Sequence, residues 1–455
     1  MKVRYLAALA LPMILIGCAT YQPKPLDRRP NMPNEVEHLT INTAQMPLPE
    51  LVSHRFDPSD GLDIDEIAML AVANNPQLRV ARDELGIAQA QAFAAGLLPD
   101  PQLSLTSDFP TNVGPGFISA YNLGLSYDVS ALLTRSTRKG AAEAQQRKVD
   151  LNLLWQEWQV VSQARLLFVR NLEQQRLMHV LDETRTLFAI RYQHAQQALQ
   201  DGNKTLDAVS ADLIALQDVE RQINDLARQI NRNRLDLNLL LGLAPEVRLD
   251  LVGETALPLL DANKVRAQLA RIAYYRPDLL ALQAGYQSQE LRFRQAILAQ
   301  FPALNIGITR ARDTSNVQTL GFAITLSLPI FNRNQGNIAI EHATRQRLYD
   351  EFQQRLGATY SEVHGILDDQ QLLEQQLANV NDALAKLEQV ASNAEIALTA
   401  GNISELTYTG LRASLLNKRI EAVTLEQRIL EQRIALQTLV ARELPIKAEN
   451  KGNEK

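Results

Sequence analysis

The apolar positions of this chain change period, and they do so at the same places in two halves. From about residue 64 to 97, and again from 264 to 300, they recur every three or four residues, which predicts amphipathic helices. Each run stops at prolines (Pro99 and Pro101, or Pro302), which disfavour helix in the residue before them. The period then drops to two. "QLSLTSDF" and "NLGLSYDV" in the first half, "ALNIGITR" and "LGFAITLSL" in the second, alternate apolar and polar residues as strands do. Leu103, Leu105, Ile306 and Ile308 would face one way, and Ser104, Thr106, Asn305 and Gly307 the other. The loops "PTNVGPG" and "RDTSN" join the strands of each pair.

Long helical stretches follow at about 137–200 and 336–399, each a rod of roughly 100 Å at 1.5 Å per residue. In the second rod Leu373, Leu377, Val380, Leu384, Leu387, Val390, Ala394 and Ala397 are spaced by threes and fours, a heptad seam. Leu206, Val209, Leu213, Leu216, Val219, Ile223, Leu226 and Ile230 continue that spacing after the first rod. The rods break at Gly202-Asn203 and Gly401-Asn402, where glycine supplies a left-handed turn. Each rod and its return helix therefore read as an antiparallel coiled-coil hairpin.

The two halves are copies. Pro76 to Pro101 spans the same interval as Pro277 to Pro302, and "DGNKTL" at 201 is echoed by "AGNISEL" at 400. The expected organisation is a segment 1–17, a Pro-rich linker 18–60, a first repeat 61–242, a connection 243–262, a second repeat 263–441 and a polar tail 442–455. Within the first repeat the strands are expected at about 102–110 and 121–129, the tip at 201–204 and the return helix at 205–242. In the second they fall at about 303–311, 319–329, 400–404 and 405–441. Four strands of this length suit a tilted membrane crossing, but four cannot close a barrel and lipid tolerates no open edge. Three copies would supply twelve strands, enough for a water-filled lumen.

Composition narrows the chemistry. The chain has 46 Lys and Arg against 51 Asp and Glu, a formal charge of −5, which gives no basic patch for nucleic acid. Aromatic residues are 5% of the 455, while Ala, Leu, Gln and Arg abound, favouring long helices. There is no GxxxxGK, HExxH or GxSxG, so no enzyme class is indicated. His38, His54, His179, His194, His342 and His364 are scattered without helical pairing, which predicts no metal site and no cofactor. Trp155 and Trp158, with Phe168 nearby, are expected in the core, and Pro329 marks a junction. Tyr121 and Tyr127 fit either an interfacial girdle or a lumen.

At the N-terminus Lys2 and Arg4 precede an apolar run, 6–16, then Gly17 and the only cysteine, Cys18. That is a secretory-signal layout, and the run is too short to cross a bilayer. "LIGC" resembles the lipobox of bacterial lipoproteins, which implies that Cys18 becomes a lipid-modified first residue, and Ala19 resembles the outer-membrane sorting pattern. Loss of residues 1–17 would move the charge from −5 to −7, because Lys2 and Arg4 go with them.

The repeated helix, two strands and helical hairpin over 61–441, with "RPDL" at 276–279 and "LSLPIFNRNQGN" at 326–337, resembles the TolC-type outer-membrane efflux proteins. The junction motif is most similar to outer-membrane subunits of cobalt-zinc-cadmium efflux systems. The resemblance implies a mainly α fold with a membrane β-barrel, trimeric and twelve-stranded, continued by a periplasmic α-helical tunnel. It implies a passive exit duct in the outer membrane of a Gram-negative bacterium. Partners would be a periplasmic adaptor and an inner-membrane pump, and the cargo heavy-metal cations, drugs or secreted polypeptides. It also implies adaptor docking at the tips, Gly202, Asn203, Gly401 and Asn402. An acidic gate beyond them would draw on Asp207, Asp212, Glu405 and Tyr408, although the second tip departs from the pattern by lacking an aspartate. The rival of another class is a lipid-tethered periplasmic coiled-coil scaffold.

Overall fold

The computed structural model describes residues 20–36, 39, 41, 46–111, 116–253, 257 and 261–440. The expected signal 1–17, Cys18, His38 and the tail 442–455 lie outside the described residues. Helices α1 (Pro49–Ser53), α2 (Ile64–Asn74) and α3 (Pro76–Gly96) lead to strands β1 (Gln102–Asp108) and β2 (Ala120–Asp128), rod α4 (Val129–Gln200) and return helix α5 (Leu206–Leu240). The second unit repeats the series: α6 (Ala262–Leu269), a 3-10 turn, α7 (Pro277–Leu298), β3 (Ala303–Arg312), β4 (Gln318–Ser327), rod α8 (Gln335–Thr399) and return helix α9 (Glu405–Val440).

The single helices expected at 64–97 and 264–300 are each divided, at Pro76 and Pro277. Proline has no N–H and holds the preceding residue extended; Asn75 and Arg276 have ψ of 124° and 122°. The two units secure the break with different side chains. Asn75 accepts hydrogen bonds on Oδ1 from the Gln77 and Leu78 N–H groups, at 2.9 and 3.0 Å, and its Nδ2 donates to the Leu240 carbonyl at 2.9 Å. In the RPDL segment the buried Arg276 grips Asp278 through two hydrogen bonds, 2.7 and 3.0 Å, and donates a third to Thr359 Oγ1 at 2.9 Å. Its guanidinium lies 4.5 Å from the Trp155 ring centroid. One side chain thus ties α7 to both rods.

The linker expected over 18–60 is only partly a linker. Met46 and Leu51 are buried, and Val36, Leu39, Ile41, Leu48 and Phe56 pack against the core. That core is a belt across the middle of the rods. Residues of α2, Leu153 to Val169 of α4 and the end of α5 make its first part, and α6, Leu279, Val363 and Leu436 its second. Trp158 and Phe168 are buried there, as the sequence predicts, while Trp155 is partly exposed beneath Arg276.

The rods contain 72 and 65 residues. α4 begins at Val129 rather than 137, because Asp128 ends β2 and caps the helix at once, accepting the Ala131 N–H at 3.2 Å. Along the seams Val209, Val219, Leu226, Leu373, Val380 and Ala394 are buried. Leu206 and Val390 are exposed. Leu206 opens α5 at the tip with no partner turn beyond it, and Ala391 takes the inward place expected of Val390, the drift between 3.6 and 3.5 residues per turn.

The four strands form one antiparallel sheet in the order β1-β2-β3-β4, so β2 and β3 join the two units. The register aligns Leu103 with Leu125, Leu125 with Ile308, and Ile308 with Phe322. These residues share a face with Leu105, Leu123, Ile306, Leu320, Ile324 and Leu326, all exposed. The opposite face aligns Ser104, Gly124, Thr309 and Gly321. Every residue on it is Gly, Ala, Ser, Thr, Asn or Gln, except Asp108 and Asp128.

Candidate functional site

Both tips are built by the same backbone device. Gly202 and Gly401 have φ of +74° and +75°. The Gly202 N–H donates to Leu199 O and Asn203 N–H to Ala198 O, at 3.0 and 2.7 Å. Gly401 and Asn402 repeat this onto Leu398 and Ala397 at 2.9 and 2.8 Å. These are Schellman closures, which satisfy the last carbonyls of each rod and reverse the chain. Only the glycines carry the left-handed backbone; Asn203 and Asn402 remain exposed with φ below zero. Ser404 caps the second return helix, its Oγ accepting the Thr407 N–H at 3.1 Å.

The four candidate gate residues have different surroundings. Asp212 is buried at 1% exposure between Arg191 and Lys204, at 2.6 and 3.0 Å. It closes an ion triad inside the first hairpin, so the expectation of an open gate carboxylate at 212 is corrected. It lies between the seam positions Val209 and Leu213, on the same helix face, and that places it inward. Asp207 is exposed in the first turn of α5. Glu405 is paired with His194 Nδ1, which joins the start of α9 to α4. Tyr408 is partly buried one turn further on.

The His194–Glu405 contact is the last rung of a ladder between α4 and α9, which sequence spacing did not reveal. Arg170 holds Glu431 through two hydrogen bonds, 2.7 and 3.2 Å. Arg176 meets Glu426 at 3.1 Å and Arg419 meets Glu183 at 3.7 Å, while Arg419 also reaches Glu388 of α8 at 3.0 Å. Burial pushes the Glu431 carboxyl up, but hydrogen bonds from Arg170 and Gln427 and the charges of Arg170 and Arg428 outweigh it. They hold Glu431 below the ordinary glutamate range. The partners lie more than 200 residues apart, so only the packing of one unit on the other aligns them. Between the hairpins an open groove of about 1350 Å³ is lined by Arg176, His179, Glu183, Asn381 and Arg419.

The sheet places Tyr121 and Tyr127 on the apolar face, at opposite ends of β2. Six residues separate them, about 20 Å along a strand. Arg312 lies 5.1 Å from the Tyr121 ring centroid and donates to Ser119 O at 2.9 Å. Among the described residues no helix is long and apolar enough to cross a membrane, and no group of three or more His, Cys, Asp or Glu could hold a metal ion.

Residues 256–442, essentially the second unit, match the family model described as outer membrane efflux protein. No curated protein matches the sequence. Solved structures match along most of their length. The Campylobacter jejuni CmeC outer membrane channel is 15% identical with a TM-score of 0.71, over 90% of this chain and 93% of that one. The Vibrio cholerae outer membrane protein VceC is 17% identical, TM-score 0.67, over 83% and 95%. CusC, described with its transmembrane channel formation, is 18% identical, TM-score 0.66, over 87% and 97%. The mainly helical fold with its four-stranded sheet is that of these outer-membrane channels.

The triad and the exposed aspartate predict opposite responses. Asp212→Ala leaves Arg191 and Lys204 without their counter-ion and should cost roughly 3 kcal/mol in unfolding of the detergent-solubilised protein. Asp207→Ala should change it by less than about 1 kcal/mol. Equal effects would contradict the placement of these two side chains.

Proposed function

We propose that this protein is the passive outer-membrane duct of a tripartite efflux system, a homotrimer coupled to an inner-membrane pump through a periplasmic adaptor. The observation that carries the reading is the two-faced sheet. Its apolar face is uncovered and its edges, β1 and β4, run in opposite directions, so copies joined edge to edge form one continuous antiparallel sheet. Two copies would give eight strands, whose interior side chains fill, whereas three give twelve and a lumen. A tethered scaffold would instead leave the apolar face in water. Solute passes without chemistry, and the pump supplies energy and selection.

The internal repeat supplies the subunit contact. α7 lies between α8 and α4, but α3 packs chiefly on α4. Ser288 of α7 is buried and donates to the Ala141 carbonyl of α4 at 2.7 Å. The matching positions of the other unit are Ile87 on α3 and Ile340 on α8, and these are 59% and 61% exposed. Likewise Gly285, against Lys148, corresponds to Glu84 and Arg347, an opposite-charge pair. Ile87 of one copy therefore meets Ile340 of the next, with Glu84 beside Arg347.

Lipid attachment at Cys18 is consistent with chain reach. Pro33 is anchored where its carbonyl accepts the Ala244 N–H, 2.9 Å, near the start of α3. α3 rises about 30 Å to the sheet, and the fifteen residues from Pro33 back to Cys18 can extend about 50 Å. The lipid is an auxiliary anchor beside the barrel. Heavy-metal cations are the cargo suggested by the junction 326–337, and they would pass without being captured. The adaptor docks at Gly202, Asn203, Gly401 and Asn402, and Asp207 and Glu405, with Tyr408 nearby, narrow the tunnel.

The duct reading is tested by reconstituting the purified protein in planar bilayers, with Ile87→Cys/Ile340→Cys oxidised in parallel. Conductance and covalent species ending at three chains are expected; no conductance, or no crosslink, would contradict it. Divalent cations should block the conductance, and Asp207→Asn should relieve the block; unchanged block excludes Asp207 from the gate. The intact mass of the mature chain should begin at an acylated Cys18, and an unmodified Cys18 would remove the anchor.

A further inference from the structure

The polar face of the sheet carries an unequal charge. Its only ionisable residues are Asp108 and Asp128, and no Lys or Arg shares the face. The cations of the sheet itself, Arg310 and Arg312, belong to the apolar face, and Arg312 is held over Tyr121. Residues 109–119, which follow Asp108, contain no ionisable side chain. In the other loop Asp313 is engaged locally, accepting the Ser315 and Val317 N–H groups at 2.9 Å each.

We infer that the strand lumen favours cations over anions, and that Asp108 and Asp128 set this preference. The inference rests on the duct reading, because it takes the polar face as the lumen. Asp108 is level with Ala120, and Asp128 lies eight residues further along β2, about 25 Å away. That exceeds the screening length of about 10 Å at 0.1 M salt, so the two act as separate rings, one at each end of the strands. In three copies each ring brings three carboxylates to the wall, which raises the local cation concentration and repels anions. The rings are not equal. Asp128 caps α4, and the positive end of that helix offsets part of its charge. Asp108, exposed at the end of β1, has no such partner among the described residues and sets the larger part of the preference.

Reversal potentials across a KCl gradient, measured on the full-length trimer in a planar bilayer, test this. The parent protein should pass K⁺ in preference to Cl⁻. Asp108→Asn should lower the permeability ratio by about twofold or more, Asp128→Asn by less, and the double variant should keep only the preference contributed by Asp207 and Glu405 at the tips. Asparagine retains the capping oxygen at 128, and the crosslinked trimer band reports assembly of each variant. A preference for Cl⁻ in the parent, or an unchanged ratio in an assembled double variant, would overturn the assignment. Absence of conductance in every sample would overturn the duct reading instead.

Discussion

The structure depends on one constraint: a sheet with one mainly apolar face and one face of small and polar residues, neither of which the described residues cover. An antiparallel sheet normally packs its apolar face on a core. Here the core lies elsewhere, as a belt around Leu70, Phe168, Leu241 and Leu436 in the middle of the rods. No described residue is placed to cover Leu105, Leu123, Ile308 or Phe322. The side chains across the sheet from them, such as Ser104, Asn122 and Thr309, are too small and polar to make a second core. Lipid on one side and water on the other satisfies both faces, and closure of the edges follows from that.

The helical part obeys the same logic by different means. Its hairpins use narrow seams of small and branched residues; Leu430 and Ile434 pack the second hairpin on the first at the belt, and charge pairs line the contact beyond it. Arg170 with Glu431, Arg176 with Glu426, Arg419 with Glu183 and His194 with Glu405 step along α4 and α9 from the belt to the tips. The innermost rung, Arg170 with Glu431, is part-buried and doubly bonded, and the outermost, His194 with Glu405, is exposed. Exposed pairs contribute little, so the hairpins are held firmly at the belt and loosely at the tips.

Much of this was legible in the chain. Strand positions, strand faces, rods and tips follow from period changes and from prolines and glycines, which are local signals. Pro76 and Pro277 were equally visible, but the helical period continues through both, and only the extended Asn75 and Arg276 show the break. Asp212 could not be separated from Asp207 by type; its burial comes from the seam and from Arg191 and Lys204 meeting there. The ladder pairs and the Ile87–Ile340 correspondence are long-range, and no spacing within one segment encodes them. The linker misled because its prolines hide Leu51, which folds back into the belt.

The face assignment is the central claim, and lipid contact tests it most directly. Nitroxide labels at single introduced cysteines, in protein reconstituted in bilayers, report whether each position meets lipid or water. Leu105→Cys, Leu123→Cys and Phe322→Cys should be reached by dissolved oxygen and protected from a water-soluble nickel chelate. Ser104→Cys and Asn122→Cys should show the reverse. Water access at all five positions, or the opposite pattern, would contradict the account.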